Sequence, residues 1–315
     1  MTATPATPTP ATPAPATPTP ASPAAAAGPP ERAALLVEAL PYIRKFQDAV
    51  VVVKYGGNAL AGAGGPGSER RALASFAQDV VLLQSVGLRP VVVHGGGPQI
   101  GSLLDRLGMP TEFRDGQRVT DADTLDVVRM VLVGKVNRDI VSAVNVHGPL
   151  AVGLSGEDAN LITATAHTPG LGYVGAVAGV DATILERLLS ERLIPVLATI
   201  GADAAGQAYN INADTVAGAV AEALGAEKLI FLTDVEGLRA DPADPATHLR
   251  RVPAATLEAM VADGTAAGGM VPKAEACLRA VRGGVQRAHV LDGRVPHALL
   301  LELFTDGGVG TMVLP

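Results

Sequence analysis

The stretch Ala49-Val-Val-Val-Val-Lys-Tyr-Gly-Gly-Asn58 decides the fold, because a valine run ends there in a lysine and a glycine turn. A short apolar run rich in β-branched residues predicts a strand that is buried on both faces. A second run, Pro90-Val-Val-Val-His94, leads into the turn Gly95-Gly-Gly-Pro98 in the same way. We therefore expect two strands of a parallel sheet, each followed by a glycine turn at its carboxyl end.

Apolar and helical segments alternate from this stretch over the rest of the chain. Short apolar runs lie at 49–54, 90–94, 150–154, 194–200, 228–233 and 288–291. Helical patterns lie at 68–86, 98–107, 121–146, 182–192, 213–224, 253–262 and 271–282. This alternation is typical of an α/β protein whose mostly parallel sheet is covered on both faces. Residues 160–177 lack a helical period and are broken by Pro169-Gly170, which predicts an antiparallel hairpin.

The first 48 residues differ in composition from the rest. In 1–30, Pro, Ala and Thr fill 27 positions without charge or periodicity, so we expect a disordered tail. The tail has no basic start followed by an apolar run, so it does not resemble a secretory signal. Residues 31–48 carry apolar side chains at helical spacing, which predicts a short helix that packs on this subunit or on another. Pro41 lies inside this helix and should kink or restart it.

Composition excludes several classes of protein. A net charge of −7 provides no broad positive surface, which argues against nucleic acid as a partner. The single cysteine, Cys277, rules out a disulfide framework, fits a reducing cytoplasm and is expected to be inert packing. The long uncharged stretch 159–180 is interrupted by Pro and Gly, so we expect no membrane helix.

Three glycine turns are candidates for an anion site. Two follow Lys54 and His94, and the third, Gly268-Gly-Met-Val-Pro-Lys273, opens a helical pattern. Backbone N–H groups and a helix N-terminus attract phosphate, and the lysines of two turns favour that interpretation. Each turn alone is equally well explained as a tight connection that binds nothing. No Walker A sequence, nucleophile elbow or zinc-ligand pattern occurs, and the G-x-G-x-x-G match at 62–67 is a chance match.

Five motifs follow one another in a fixed order. They are Val51-Val-Val-Lys-Tyr-Gly-Gly-Asn-Ala59, Val91-Val-Val-His-Gly-Gly-Gly-Pro-Gln-Ile100, Gly116-Gln-Arg-Val-Thr120, Tyr209-Asn-Ile-Asn-Ala-Asp214 and Leu232-Thr-Asp-Val-Glu-Gly-Leu238. Each motif alone is weak, but the ordered set is specific and resembles the acetylglutamate kinases of the amino acid kinase superfamily. The resemblance covers about residues 36–314.

The resemblance implies that ATP, bound with Mg²⁺, phosphorylates the side-chain carboxylate of N-acetyl-L-glutamate in arginine biosynthesis. It implies a three-layer αβα sandwich, with an acyl-amino-acid-binding lobe over 49–225 and a nucleotide-binding lobe over 226–315. Magnesium would arrive with the nucleotide, so no metal site of the protein itself is expected. The chemistry agrees with the residues, because a carboxylate is ionised at pH 7 and needs no general base.

The resemblance also assigns roles to single residues. Lys54 and Lys273 match the lysines that neutralise the transferred phosphoryl group, and Asp214 matches the aspartate that holds both ammonium groups. The matching substrate positions are Gly56, Gly57, Gly96, Gly97, Arg118 and Asn210. The matching nucleotide positions are Thr233, Asp234, Val235, Glu236, Gly237, Leu238, Thr265, Ala266 and Ala267. From the residues alone, Asp214 also fits a helix-capping role, and Arg118 also fits a solvated loop charge.

Two further segments resemble the arginine-sensitive branch of that family. They are Glu38-Ala-Leu-Pro-Tyr-Ile-Arg44 and Leu301-Glu-Leu-Phe-Thr-Asp-Gly-Gly-Val-Gly-Thr-Met312. In that branch the N-terminal helix interlaces dimers, so the resemblance implies a hexamer built as a trimer of dimers. It also implies arginine as an effector near Tyr42 and Glu302. From the residues alone, Glu302 is equally well a surface charge before the last strand.

Two other functions stay open on the sequence. A carbamate kinase shares the Gly-Gly-Asn-Ala turn but does not explain Gly116-x-Arg-Val-Thr120 or the N-terminal helix. A catalytically silent sensor of a nucleotide or an amino acid has no need of Lys54, Lys273 and Asp214.

Overall fold

The computed structural model describes residues 28–57, 67–114, 116–241, 244–266, 270–305 and 307–315. The strands are β1 (Val50–Tyr55), β2 (Arg89–His94), β3 (Phe113–Arg114), β4 (Gln117–Arg118), β5 (Ala151–Ser155), β6 (Ile162–Ala166), β7 (Val174–Val180), β8 (Ile194–Ala198), β9 (Ile200–Ala202), β10 (Ala208–Ile211), β11 (Lys228–Thr233), β12 (Arg251–Pro253), β13 (Arg287–Asp292) and β14 (Thr311–Leu314). The helices are α1 (Pro29–Lys45), α2 (Ser68–Ser85), α3 (Gly97–Leu107), α4 (Ala122–Arg129), α5 (Asn137–Asn145), α6 (Thr183–Ser190), α7 (Ala213–Ala223), α8 (Ala254–Ala262), α9 (Val271–Arg282) and α10 (Ala298–Leu303). A π-helix, Met130–Val136, joins α4 to α5, and short 3₁₀ turns lie at Asp158–Asn160 and Pro245–Thr247.

The chain divides into two units, Met1–Pro41 and Tyr42–Pro315. Residues 1–27, which carry most of the expected tail, lie outside the described residues. The helix α1 continues through Pro41. Of the two expectations for this proline, a restart of the helix is therefore wrong.

One sheet of eight strands runs through the second unit in the order β12-β14-β13-β11-β1-β2-β8-β5. All neighbouring pairs from β13 to β5 are parallel, and β14 pairs antiparallel with β13. The strand β1 lies in the middle, because it pairs with β11 on one side and with β2 on the other. The two lobes proposed from the sequence therefore share a single sheet.

Two apolar cores cover the two faces of this sheet. On β1, Val51, Val53 and Tyr55 pack into the core formed with α2 to α5 and α10, whereas Val52 packs into the core formed with α6 to α9. Cys277 belongs to the second core and is fully buried, and burial raises the pKa of its thiol. The expected three-layer αβα sandwich is confirmed, since helices cover both faces of a mostly parallel sheet.

Three predicted segments differ from or refine the expectation. The hairpin over 160–177 is confirmed as the antiparallel pair β6–β7, which closes a four-stranded barrel with β9 and β10. The single strand expected over 194–200 is divided at Thr199, because β8 stays in the large sheet and β9 joins the barrel. The single helix expected over 121–146 contains the π-helix in its middle, and a wider turn of this kind leaves no trace in the apolar pattern.

Candidate active site

A cavity of about 380 Å³ opens where the carboxyl ends of β1, β2 and β11 meet. The parallel register of these strands brings their following turns to one edge of the sheet. The cavity is lined by these sequence-predicted residues, among others: Lys54, Gly56, Gly57, Gly96, Gly97, Arg118, Asn210, Asp214, Thr233, Asp234 and Lys273. All predicted catalytic and substrate positions therefore lie around one cavity.

Three charged side chains meet at the centre of this edge. The Nζ atom of Lys54 lies 2.8 Å from Oδ1 of Asp214, and Nζ of Lys273 lies 3.7 Å from Oδ2 of the same carboxylate. Lys54 is carried by β1, Asp214 by the first turn of α7 and Lys273 by the first turn of α9. One carboxylate thus holds two ammonium groups that come from distant parts of the chain.

The ionised form of Asp214 is favoured by its surroundings. Burial on its own raises the pKa of this carboxyl, but the charges of Lys54 and Lys273 outweigh burial, so that the pKa lies below its ordinary value. The helix cap is Asn212, whose Oδ1 accepts from the backbone N–H groups of Asp214 and Thr215 at 2.8 and 3.2 Å. The capping role considered for Asp214 is therefore filled by Asn212, and the Asp214 carboxylate is left to pair with the lysines.

The net charge of this trio is positive, because two ammonium groups face one carboxylate. Lys54 and Asp214 are nearly buried, with side-chain exposures of 11% and 8%, so their fields are screened less than those of surface charges. A partly desolvated excess of positive charge at the edge of a cavity attracts an anion with several negative oxygens. A phosphoryl group fits this description.

The first two glycine turns approach each other closely. A Cβ atom at Gly57 would lie 2.7 Å from Cδ of Pro98, so a larger residue there would push the turns apart. The N–H group of Gly56 donates to the carbonyl of Leu232 at 3.1 Å. The expectation that this N–H faces a ligand is therefore not met, because it belongs to the connection between β1 and β11.

Arg118 is held rigidly at the wall of the cavity and is only 8% exposed. Its guanidinium donates to Oγ1 of Thr111 at 3.2 Å and to the carbonyl of Gly97 at 3.1 Å, and it lies 4.6 Å from the ring centre of Phe113. The alternative of a solvated loop charge is therefore wrong. A guanidinium fixed in this way suits a bidentate grip on a carboxylate.

Thr120 links the two predicted substrate positions and was not singled out from the sequence. It is fully buried, its hydroxyl donates to the carbonyl of Arg118 at 2.8 Å, and it accepts from Nδ2 of Asn210 at 3.4 Å. The sequence could have indicated Thr120, because it is the last residue of the motif that contains Arg118. Asn212 was missed in the same way, although it lies in the quoted motif before α7.

A second cavity, of about 300 Å³, lies beside the first on the β11 side. It is lined by Asp234, Val235, Glu236, Gly237, Leu238, Arg239, Met260, Thr265, Ala266, Met270 and Arg294. The predicted nucleotide segment is thus brought against Thr265 and Ala266, whereas Ala267 lies outside the described residues. Asp234 lines both cavities, and Thr233 lines the first. Met260, Met270 and Arg294 were missed, because their approach depends on the packing of α8, α9 and the turn after β13.

Glu302 lines neither cavity and is buried in a cluster of its own. Its Oε1 lies 2.7 Å from Nδ1 of His289, whose Nε2 lies 3.1 Å from Nζ of Lys228. Its Oε2 accepts from the backbone N–H groups of Val309 and Gly310 at 2.7 and 3.2 Å. The alternative of a surface charge at Glu302 is therefore wrong. Tyr42 lies in the last turns of α1 and is half-buried.

Two general features complete the description. Among the residues that the structure describes, no group of three or more His, Cys, Asp or Glu side chains could hold a metal ion. In the same part of the chain, every helix is too short or too polar to cross a bilayer.

Comparison with known proteins places this geometry in a family. The amino acid kinase family profile matches residues 49–292. The acetylglutamate kinase of Symbiobacterium thermophilum is 52% identical, over 90% of this chain and 98% of that protein. The N-acetylglutamate synthase of Neisseria gonorrhoeae, solved with coenzyme A and N-acetyl-glutamate, is 27% identical with a TM-score of 0.78; the match covers 90% of this chain and 63% of that one. The carbamate kinase of Giardia lamblia bound to AMP-PNP shares the fold alone, with 16% identity and a TM-score of 0.61 over 85% of this chain and 98% of that one.

Proposed function

The chain belongs to the amino acid kinase family and, within it, to the acetylglutamate kinases, and from this premise we propose what its cleft does. It transfers the γ-phosphoryl group of ATP to the side-chain carboxylate of N-acetyl-L-glutamate, which yields an acyl phosphate for arginine biosynthesis. The observation that carries the proposal is the pairing of Lys54 and Lys273 on Asp214 beside the glycine turns.

The residues of the cleft suit this reaction because it needs charge and position rather than proton transfer. The acceptor carboxylate is ionised at neutral pH, so it attacks phosphorus without a base while the bond to the leaving ADP oxygen breaks. Lys54 on β1 and Lys273 on α9 approach from two sides and offset the negative charge that spreads over the transferred group. Asp214 keeps the two ammonium groups from repelling each other and holds them in place.

We assign the two substrates to the two cavities. Arg118 and Asn210 line the first cavity and offer a guanidinium and an amide to the carboxylates and the acyl group of the amino acid. Thr265, Ala266 and the segment after β11 line the second cavity, which takes the nucleotide. The two ammonium groups that line the first cavity fit the triphosphate, and Mg²⁺ is carried in with it. We also place the enzyme in the cytoplasm, where thiols such as that of Cys277 stay reduced.

A product-trapping assay tests this function. The chain is incubated with MgATP, hydroxylamine and one acceptor at a time: N-acetylglutamate, glutamate, N-acetylaspartate, acetate or carbamate. Hydroxylamine converts an acyl phosphate into a hydroxamate. If the proposed function is correct, we expect hydroxamate with N-acetylglutamate alone. ADP release with carbamate would support the carbamate kinase alternative, and no turnover with any acceptor would support the silent sensor.

We further propose that arginine inhibits the enzyme and that α1 joins dimers into a hexamer. Support comes from α1, where Leu36, Val37 and Leu40 lie on one side of the helix and are 72%, 69% and 42% exposed, as an apolar face that packs on another subunit would be. Glu302 enters this proposal through the resemblance of residues 301–312 to the arginine-sensitive branch, because its carboxylate is already bonded to His289 and to the N–H groups of Val309 and Gly310. Sedimentation velocity and arginine titration test this on two variants. Deletion of 1–48 should give an active dimer that arginine inhibits weakly, and Glu302→Ala should weaken inhibition within an intact hexamer. A truncated chain that stays hexameric with an unchanged arginine response would overturn this regulation.

A further inference from the structure

A buried polar pair lies directly beneath the second glycine turn. His94 ends β2 and Asn137 begins α5, and both side chains are fully buried, with 0% exposure. The Nε2 atom of His94 lies 3.1 Å from Nδ2 of Asn137, and its Nδ1 atom lies 3.1 Å from the carbonyl oxygen of Gly95. Neither residue lines the cavity, so neither touches a substrate.

The orientation of the Asn137 amide follows from its neighbours. Its Nδ2 lies 2.8 Å from the carbonyl oxygen of Val196, which can only accept, so one amide hydrogen is directed there, and the carbonyl oxygen of Leu154 lies farther away, at 3.4 Å. Its Oδ1 accepts from the guanidinium of Arg138. The group that faces His94 is therefore the NH₂ group, which can only donate.

This orientation decides the tautomer of His94. Because Asn137 donates to Nε2, that nitrogen must be the acceptor, and the hydrogen must lie on Nδ1. The Nδ1–H group then donates to the carbonyl of Gly95. Burial lowers the pKa of His94 to about 4, so the ring stays neutral and the single tautomer persists at neutral pH.

The surrounding backbone is shaped to admit this pair. A Cβ atom at Gly153 on β5 would overlap the Asn137 amide and the Arg138 guanidinium, so the side chain of Asn137 needs a glycine there. The π-helix that precedes Asn137 packs on the turn itself, because a Cβ at Gly96 would lie 2.8 Å from Cδ2 of Leu132. Wide turns of this type are common near functional sites.

We propose that His94 and Asn137 are positioning residues that fix the peptide between Gly95 and Gly96. In a trans peptide the C=O and the following N–H point in opposite directions. The hydrogen bond from His94 turns the Gly95 carbonyl toward the core, so the Gly96 N–H points the other way, toward the cavity that the turn lines. The pair thereby aims a backbone donor at the bound acyl amino acid or at the phosphoryl group. This inference rests on the proposed function only for the identity of that ligand.

Two matched substitutions separate this role from simple packing. In His94→Asn the amide NH₂ takes the place of Nδ1 and can still donate to Gly95, although Asn137 loses its acceptor. In His94→Gln the amide reaches the place of Nε2 and can accept from Asn137, but nothing donates to Gly95. We expect kcat/KM for N-acetylglutamate to fall roughly tenfold or more in His94→Gln and to stay within about threefold of wild type in His94→Asn. His167→Gln, at an exposed histidine, is the control for the substitution itself.

A loss of kcat/KM supports the proposal only if the variant is folded, so the thermal unfolding of each variant is measured beside its kinetics. Equal losses in His94→Asn and His94→Gln, or wild-type kinetics in His94→Gln, would overturn the proposal. A readout that needs no substrate covers the case in which a His94 variant does not fold. Long-range ¹H–¹⁵N NMR on ¹⁵N-histidine-labelled enzyme should show His94 with its hydrogen on Nδ1, and Asn137→Ala should release the Nε2–H tautomer. A hydrogen on Nε2 in the wild type contradicts the inference, whatever the trapping assay shows about the substrate.

Discussion

Two buried clusters of lysine and carboxylate lie at opposite ends of the same pair of strands. In one, Lys54 near the carboxyl end of β1 pairs with Asp214 together with Lys273. In the other, Lys228 at the amino end of β11 reaches Glu302 through His289. Both clusters contain a nearly buried lysine and a nearly buried acid, so burial alone does not tell a reaction centre from a structural one.

The clusters differ in their balance of charge. The first holds two positive charges against one negative charge and opens into a cavity. The second holds one of each, because burial lowers the pKa of His289 and leaves it neutral, with Nε2 accepting from Lys228 and Nδ1–H donating to Glu302. Backbone N–H groups of Val309 and Gly310 close it further. An excess of charge at a cavity marks the place for an anionic ligand, whereas a balanced chain stabilises the fold.

The largest effect is expected from removing either lysine of the unbalanced cluster. Lys54→Ala and Lys273→Ala should each lower kcat by at least about 100-fold, because each removes a charge that stabilises the transition state. The fold should survive, since neither side chain fills a core. Steady-state kinetics with circular dichroism checks this, with the exposed Lys135→Ala as the control. Near-normal kcat in both variants would remove the distinction between the clusters.

A smaller effect on rate is expected at the carboxylate that the two lysines share. Asp214→Asn leaves two ammonium groups without a counter-charge, so they should move apart. We expect kcat to fall roughly tenfold or more and the free energy of unfolding to fall by a few kcal/mol. Denaturant titration beside the kinetics separates the two losses. A kcat that does not change would show that Asp214 has no part in positioning the lysines.

The balanced cluster should respond in stability rather than in rate. Glu302→Gln removes the counter-charge of Lys228 and weakens the bonds to His289, so the free energy of unfolding should fall by about 2 kcal/mol. Without arginine, kcat should stay within about threefold of wild type. The matched control is Glu236→Gln, at an exposed acid paired with Arg239, where the change should stay below about 0.5 kcal/mol. A large loss of kcat in Glu302→Gln would mean that the two ends of the strands are coupled in catalysis.

The last test of the balanced cluster concerns the pH dependence of stability. Burial lowers the pKa of Lys228 from 10.5 to about 8, with a further lowering by Arg287 and opposing charges on Glu302 and Glu227. Between these two pH values the unfolded chain binds more protons at this lysine than the folded chain, so the free energy of unfolding should rise with pH, by about 3 kcal/mol at most. Unfolding titrations at pH 8, 9 and 10 should show a shallower rise in Lys228→Met. Parallel curves for variant and wild type would place Lys228 at its ordinary pKa.

The sequence predicted the strands and helices of this fold better than it predicted the burial and the partners of individual side chains. The valine runs of β1 and β2 and the helix that carries Asp214 have patterns that local periodicity detects. The π-helix could not be predicted from the sequence, because apolar residues at Val131 and Leu132 are compatible both with a continuous α-helix and with a π-helical turn. The burial of Arg118 was not detectable either, since its partners Thr111 and Gly97 meet it only in the folded chain.

The two charged clusters show the same limit of sequence-based prediction. Lys54 and Lys273 were found because each lies beside a glycine turn in a recognisable motif. Glu302 was ambiguous, because an acid before a last strand is usually exposed, and its partner His289 belongs to another element. Whether a charged residue is buried and what it pairs with depend on tertiary contacts that residue spacing does not record.

The pairing of β1 with β11 also determines the order in which the protein is assembled during translation. Val51 pairs with Lys228, so the two strands at the middle of the sheet leave the ribosome at widely separated times. Before Lys228 emerges, β1 can pair with β2, and β2 is followed in the sheet by β8 and β5, but the other edge of β1 has no strand beside it. The nascent chain therefore passes through an interval in which a hydrophobic strand edge is open to other chains, and an unpaired edge of this kind is prone to aggregation.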